Sequence, residues 1–237
     1  MIQPSISVII PTIRLDKALM ALLAQLGDMD ILETLIVLPN SAKPIYNFGT
    51  NCTWLTAPKG RGPQIQAGLD AAKGDILWVL HADNLLPENA LSEIYRIIQN
   101  PYTAMGCFPL QFNSSNLSLK LFEVFTHLPT QLTTFGDQGF FFHREFKKDL
   151  PDLNPYPLLE DVALFRALRK KGRIKKARFP LITDVRRFRR LGTWRTQWHN
   201  IVTLWKFHKG ISAKELYDDY YSEMSVPMRP ATSLSGL

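Results

Sequence analysis

A run of five apolar residues, Ile76 to Leu80, is the feature that most constrains the fold of this chain. A turn-forming pair, Gly74-Asp75, precedes the run, so it predicts a strand buried on both faces, as in a mainly parallel sheet. The run leads directly into His81-Ala82-Asp83. Ligands of open α/β sheets bind beyond the carboxyl ends of the strands, so Asp83 is well placed to hold a metal ion or a metal-bound phosphate. Alternatively, Asp83 caps a helix that starts near Pro87-Glu88, and the spacing alone favours neither interpretation.

Strand-like and helix-like segments alternate through the first half of the chain. Short apolar runs predict strands at residues 5–12, 31–38, 54–56, 76–80 and 105–112. Apolar residues at helical spacing predict helices at 16–26, 64–72 and 86–99. This order predicts an α/β fold in which a mixed, mainly parallel sheet is flanked by helices.

The second half of the chain is less regular. We predict a helix over residues 117–125, a strand over 140–142 after the turn-rich segment 134–139, and a helix over 159–171. Two C-terminal helices follow, from about residue 194 to 205 and from 213 to 223, before a loose tail. The length of 237 residues suits one domain, or one domain with an appended helical subdomain.

Positive charge is concentrated in the last third of the chain. Between Arg166 and Lys209 there are fifteen Lys and Arg residues and one acid, Asp184. Such a block attracts the phosphates of a nucleotide sugar, a lipid head group or a nucleic acid, although a solvated helical face accounts for many such residues. Because these arginines lie in no recognised RNA- or DNA-binding motif, we do not expect a nucleic-acid partner.

Targeting and redox signals are sparse. No apolar run reaches the roughly 18 residues of a membrane span, and the first residues lack the pattern of a signal peptide. The two cysteines, Cys52 and Cys107, give neither a disulfide framework nor metal-ligand spacing. We therefore expect a cytoplasmic protein.

Tryptophans are spaced along one face of the first C-terminal helix. Core packing is the more common role of such a stripe, but basic residues interleave with it here and would suit an anionic membrane surface. The sequence thus leaves room for peripheral contact at the inner face of the membrane, where a lipid-linked acceptor or donor would be held. The tryptophans are Trp194, Trp198 and Trp205, and the basic residues are Arg195, Lys206 and Lys209.

Two further polar clusters lie where predicted helices begin. In Lys59-Gly60-Arg61-Gly62, backbone N–H groups at the helix start and the Arg61 side chain together predict an anion site, although glycine turns beside Lys or Arg are common. Glu160-Asp161 lies in a first helical turn, where acids usually just complement the helix dipole. Each cluster alone is a weak signal.

Several short motifs follow one another in a particular order. They are Ser7-Val8-Ile9-Ile10-Pro11-Thr12, then Gly60-Arg61 with Gln64 and Ala67-Gly68, then Ala72-Lys73-Gly74-Asp75, His81-Ala82-Asp83, Gly136-Asp137-Gln138-Gly139 and Glu160-Asp161. In this order the chain, from about Ser5 to Tyr221, resembles the family 2 glycosyltransferases with the GT-A fold. Within that family it is most similar to a bacterial subgroup of small, soluble members whose metal motif is HAD.

The resemblance implies a fold, a reaction and a domain plan. The fold would be the Rossmann-like GT-A domain over residues 1–224, with a donor-nucleotide and metal half up to about residue 112. An acceptor half with C-terminal helices would follow from about residue 113, and residues 225–237 would form the tail. The reaction would transfer a sugar from a nucleotide-diphospho-sugar to an acceptor hydroxyl with inversion, assisted by Mg²⁺ or Mn²⁺.

The resemblance also implies roles for individual residues. Asp83 would hold the metal ion, and Asp161 would be the catalytic base that takes the proton from the acceptor hydroxyl. The donor would contact Pro11, Thr12, Arg61, Gln64, Ala82, Asp83 and Arg187, the last within Arg186-Arg187-Phe188-Arg189-Arg190. The acceptor would contact Gly136, Asp137, Gln138 and Glu160.

The chain departs from the family pattern at three places. Leu38 stands where members usually carry an acid that contacts the nucleobase and ribose, and His81 replaces the first acid of the metal motif, as in the HAD subgroup. Ile13-Arg14 replaces an Asn-Glu pair, for which Asp16 is a candidate substitute. The missing acid at Leu38 favours an alternative: a degenerate glycosyltransferase-like protein that binds a nucleotide or phosphorylated ligand without transferring a sugar.

Overall fold

A computed structural model describes residues 3–41, 51–183 and 193–225 of the chain. The chain divides into two compact units, Met1–Asp184 and Val185–Leu237. The candidate site lies in the first unit, and the second unit contributes two helices.

The first unit is built on a seven-stranded sheet in the order β3-β2-β1-β4-β7-β5-β8. Strands β1 to β4 run parallel to one another, whereas β7 runs antiparallel to both of its neighbours, β4 and β5. The prediction of a mixed, mainly parallel α/β sheet is therefore confirmed. The strands are β1 Ile6–Pro11, β2 Glu33–Pro39, β3 Cys52–Ala57, β4 Ile76–Val79, β5 Thr103–Cys107, β6 Leu110–Phe112, β7 Phe140–His143, β8 Arg173–Lys176 and β9 Leu181–Thr183.

Helices flank this sheet because their apolar faces are buried. In α1, the predicted face of Leu19, Leu22, Leu23 and Leu26 is buried, and Asp16 starts the helix by accepting hydrogen bonds from the amides of Ala18 and Leu19. The helices of the first unit are α1 Lys17–Gly27, α2 Arg61–Ala71, α3 Ala90–Ile98, α4 Leu117–Thr126 and α5 Glu160–Arg169. The second unit contains α6 Thr193–His208 and α7 Ala213–Ser225.

Two sequence predictions are wrong. The single strand predicted over residues 105–112 is broken, because Pro109 has no N–H to donate and the Phe108 amide bonds to the Gln138 carbonyl at 2.8 Å. The second part, β6, pairs instead with β9 in a separate two-stranded sheet. The capping role considered for Asp83 is also wrong, because α3 begins at Ala90 with Asn89 in the cap position.

The reversed direction of β7 positions the site. Its first residue, Phe140, pairs with Val79 at the carboxyl end of β4. The segment that leads into β7 therefore lies at the same sheet edge as the segment that leaves β4. An antiparallel neighbour thus brings together two motifs that stand more than fifty residues apart in sequence.

Some predictions concern residues outside the described ranges. These are the arginine segment 186–190, which includes Arg187, and the tail from residue 226 onward. In α6 the backbone of Trp194 is described, but its side chain is not. Among the helices that the structure describes, none has both the length and the apolar composition needed to cross a membrane.

Candidate active site

The turn after β4 is fixed by the buried side chain of Asn84. The side-chain Oδ1 accepts a hydrogen bond from the His81 backbone amide at 2.9 Å, and the Asn84 backbone amide donates to the His81 carbonyl at 3.1 Å. Its Nδ2 donates to the Asp137 carbonyl at 3.0 Å. Asn84 therefore holds the His81-Ala82-Asp83 turn against the loop before β7.

That loop also reaches the start of α5. The Gly136 amide donates to Asp161 Oδ2 at 2.8 Å. A Cβ atom added to Gly136 would lie 3.3 Å from both His81 Nε2 and the Asp161 Cβ, closer than side chains normally pack. A side chain at Gly136 would therefore crowd the point where these three motifs meet.

Asp161 has a fixed orientation. Its Oδ1 accepts the Val162 amide at 2.8 Å, while Oδ2 accepts Gly136. Leu159, just before α5, has a φ of +64° and is the only non-glycine residue with positive φ in the part of the chain that the structure describes. Such conformations are strained for leucine, and they cluster at functional sites.

Glu160 is buried, with 1% of its surface exposed. Its Oε1 lies 3.4 Å from Nε of Arg61, which is one-third exposed. Burial raises the pKa of Glu160 to about 7, with Arg61 opposing the rise and Asp161 adding to it. Glu160 is therefore more than a surface complement to the helix dipole, since its carboxylate supports the Arg61 guanidinium from the interior.

The first amides of α2 are occupied. The Arg61 amide donates to the Pro157 carbonyl at 3.3 Å, and the Gly62 amide donates to the Tyr156 carbonyl at 3.1 Å. Gly62 must lack a side chain, because a Cβ there would collide with the backbone oxygens of Leu153 and Tyr156. The backbone part of the predicted anion site is thus wrong, and the Arg61 guanidinium is the group this loop contributes.

Asp137 lies among charged groups. Burial raises the pKa of Asp137 to about 6, and the negative charge of Asp83 adds to the rise while Arg61 opposes it. Its Oδ1 is inaccessible and has no hydrogen-bond partner among the described residues. Lys176 lies close enough for the negative charge of this carboxylate to act on its ammonium group.

His81 is neutral at physiological pH. Burial, together with the positive charge of Arg61, lowers the pKa of His81 to about 3. Its Nε2 is buried and finds no hydrogen-bond partner among the residues that are described. The residue in the position of the usual first acid therefore adds no negative charge to the site.

Two predicted contact residues are built into the interior. The Gln64 Nε2 donates to the carbonyls of Thr12 at 2.7 Å and Val37 at 2.6 Å, so it fastens the ends of β1 and β2. The buried Gln138 donates through Nε2 to the Thr133 carbonyl and accepts from Lys176. Their amide nitrogens are therefore engaged in positioning the site.

The remaining predicted residues lie at the same sheet edge. Pro11 ends β1 and Thr12 follows it, and the Thr12 hydroxyl donates to the Arg14 carbonyl at 2.8 Å. Ala82 lies in the turn between His81 and Asp83. Leu38 is buried within β2, so its side chain is part of the core.

Sequence reasoning missed Asn84, Lys176 and the strained Leu159. Asn84 directly follows the metal motif, and a polar residue at a strand end was a usable signal. Lys176 stands within a block of basic residues that gave no reason to single it out. Within the described ranges, no group of three or more His, Cys, Asp or Glu side chains is arranged to hold a metal ion by itself.

Comparisons with known proteins identify the family of this chain. The model of glycosyl transferase family 2 matches residues 7–171, well over half of the chain. No curated protein matches the chain by sequence.

Solved structures share the fold. The mannosyltransferase PcManGT from Pyrobaculum calidifontis, in complex with GDP-Man and Mn²⁺, is 15% identical, with a TM-score of 0.65 over 94% of this chain and 71% of that one. TarS 1–349 from S. aureus is 14% identical, with a TM-score of 0.59 over 90% of this chain and 68% of that one. Glucosyl-3-phosphoglycerate synthase from Mycobacterium tuberculosis, with Mn²⁺ and UDP, is 14% identical, with a TM-score of 0.50 over 76% and 70%. These likenesses confirm the GT-A fold, and the family match over residues 7–171 shows that the chain belongs to glycosyl transferase family 2.

Proposed function

We propose that this protein transfers a sugar from a nucleotide-diphospho-sugar to an acceptor hydroxyl in a single inverting displacement that requires a divalent metal ion. The observation that carries the proposal is the convergence of Asp83, Gly136 and Asp161 at one sheet edge, joined by the hydrogen bonds of Asn84 and Gly136. A displacement of this kind needs one base and a stabilised leaving group, and both are available among these residues.

Asp161 acts as the general base. Each of its oxygens already accepts one backbone hydrogen bond, which orients the carboxylate and leaves further lone pairs for the acceptor proton. The loop of Gly136 to Gln138, together with Glu160, would line the acceptor side. The acceptor hydroxyl then attacks the anomeric carbon as its proton passes to Asp161.

Arg61 stabilises the departing diphosphate. Its guanidinium is partly exposed, and the buried Glu160 keeps it at the site through an ion pair. A pre-positioned guanidinium can bind two phosphate oxygens at once, and such stabilisation counts most where charge develops. The resemblance gives Arg187 the same task, and Pro11, Thr12 and Ala82 would line the donor side.

The site fits a hard divalent ion. Asp83 offers oxygen ligands, and the unsatisfied Asp137 Oδ1 nearby marks a place where a cation would be favoured. Mg²⁺ and Mn²⁺ bind one or two carboxylates together with substrate phosphates, and when bound they neutralise charge on the leaving diphosphate. The Mn²⁺ bound in two of the structural neighbours supports this part of the proposal.

We further propose that the protein works in the cytoplasm, at the inner face of the membrane, on a lipid-linked acceptor. In α6, the side chains of Trp198, Ile201 and Trp205 are 70%, 59% and 61% exposed. Arg195 is exposed on the same helix and Lys209 is exposed just after its end, where the Lys209 ammonium lies 5.6 Å from the Trp205 ring centre. Amphipathic aromatic side chains flanked by basic residues suit an anionic lipid surface.

The test is sugar transfer from a panel of UDP- and GDP-sugars with Mn²⁺, followed as nucleoside diphosphate release. We expect release to depend on metal and to be lost in Asp83→Ala and Asp161→Asn, with Asp152→Asn on the surface as the control. Turnover that survives both substitutions would refute the site assignment.

The alternative, binding without transfer, is favoured by one observation: the buried Leu38 in place of the family's usual acid. Thermal unfolding against the same nucleotides, with and without Mn²⁺, separates the two functions, because a ligand of the native state raises the midpoint. A raised midpoint with no release from any donor would support the alternative.

A further inference from the structure

The HAD motif gives the cation site a single carboxylate. With a histidine in the first position, Asp83 is the only acidic residue in the turn after β4. A divalent ion that bridges a diphosphate is commonly held by one or two carboxylates. The question is whether another element supplies the missing oxygen ligand.

The loop before β7 lies against this turn. Asn84 bonds to both segments, to the His81 backbone on one side and to the Asp137 carbonyl on the other. Gly136 lies close to His81, because a Cβ added to Gly136 would come within 3.3 Å of His81 Nε2. The backbone of Asp137 is therefore fixed beside the metal motif by contacts that do not depend on any ligand.

One oxygen of the Asp137 side chain is unsatisfied at this junction. Its Oδ1 is inaccessible to solvent and has no hydrogen-bond donor among the described residues. A buried carboxylate oxygen without a partner is unfavourable unless a cation or a donor completes it. Asp83 and Asp161 both lie near enough to Asp137 for their charges to act on its carboxylate.

Two cations among the described residues lie near this group. Arg61 faces Asp137, but its Nε lies at Glu160. Lys176 also faces Asp137, and its ammonium donates to Gln138 Oε1. Both cations therefore have other carboxylate or amide partners.

We propose that Asp137 is the second carboxylate ligand of the divalent-cation site, opposite Asp83, and replaces the acid that the HAD motif lacks. The inference rests on the proposed function only in assuming that a divalent ion joins the donor diphosphate here. In this proposal Asp137 binds the metal ion, whereas the family resemblance assigns it to the acceptor side of the site.

The test measures metal binding directly. Mn²⁺ is titrated into the full chain in the presence of UDP or GDP, and free Mn²⁺ is followed by its EPR signal. We expect Asp137→Asn and Asp83→Asn each to weaken Mn²⁺ binding by at least about tenfold. Asp161→Asn is the matched control, because it removes a carboxylate from the same pocket without removing a proposed ligand, and it should keep Mn²⁺ affinity within about threefold. Far-UV circular dichroism verifies that each variant is folded.

The outcomes separate this inference from the proposed function. If Asp137→Asn binds Mn²⁺ as tightly as the wild type while Asp83→Asn does not, the inference is overturned and the metal-dependent transfer stands. If Asp137→Asn keeps its Mn²⁺ affinity but raises the KM for the acceptor, Asp137 contacts the acceptor and the inference is again overturned. If the wild type binds no Mn²⁺ with either nucleotide while donor turnover continues, both the inference and the metal requirement fail.

Discussion

The buried Glu160 makes stability fall as pH rises through the neutral range. Its pKa is raised from 4.5 to about 7, mainly by burial. Below pH 4.5 the carboxyl is protonated in both the folded and unfolded states, so it imposes no penalty. Between the two pKa values only the folded state keeps the proton, and each pH increment favours unfolding. Above pH 7 the full penalty is present, and the difference between the two pKa values corresponds to about 3 kcal/mol.

Glu160→Gln removes this titration and keeps the shape of the side chain. We expect the free energy of unfolding of the wild type, relative to this variant, to fall by about 2–3 kcal/mol between pH 5 and pH 8. Urea unfolding at both pH values measures it, and comparison with the variant cancels the titration of other groups. Glu88→Gln, at an exposed position, is the control and should change by less than about 0.5 kcal/mol. A difference between wild type and Glu160→Gln that is the same at both pH values would refute the reasoning.

Three further predictions concern other parts of the chain. Gly62→Ala forces a Cβ against backbone oxygens and should lower the free energy of unfolding by about 1–3 kcal/mol. The control, Gly27→Ala, has open space around the new Cβ and should change this free energy by less than about 1 kcal/mol. Equal effects of the two substitutions in urea unfolding would contradict this prediction. Asp16→Ala removes the cap of α1 and should lower stability by about 1 kcal/mol, and an unchanged unfolding midpoint would show that the cap is unimportant. The double variant Trp198→Ala/Trp205→Ala should weaken co-sedimentation with phosphatidylglycerol vesicles by at least about tenfold, while binding equal to the wild type would exclude this face.

The strands of the central sheet were predictable because burial on both faces leaves continuous apolar runs. This holds for β1, β2 and β4. It fails for β8, Arg173–Lys176, which lies at the edge of the sheet and carries three basic residues around one buried Ile174. An edge strand needs only one buried side chain here, so its sequence resembles a solvated loop.

The sequence predicts which residues form the site, but it does not predict most of the contacts between them. Asp83, Gly136 and Asp161 belong to motifs that the family resemblance identifies. The position of Asp137 beside Asp83 depends on the antiparallel placement of β7, a long-range pairing that no local pattern encodes. The ion pair between Arg61 and the buried Glu160 likewise joins two helix starts, α2 and α5, that are nearly one hundred residues apart.

The first backbone amides of α2 are already hydrogen-bonded within the protein, and this affects how a donor would bind. Backbone amides recognise phosphate through short, directional contacts that salt disturbs little, but here Pro157 and Tyr156 already hold them. The partly exposed guanidinium of Arg61 would then attract the donor phosphates instead. This charge–charge attraction acts over a longer distance than a hydrogen bond, and dissolved ions screen it. We therefore expect the ionic strength of the surroundings to set how readily this protein loads its donor, so that salt concentration acts as a control on its first step.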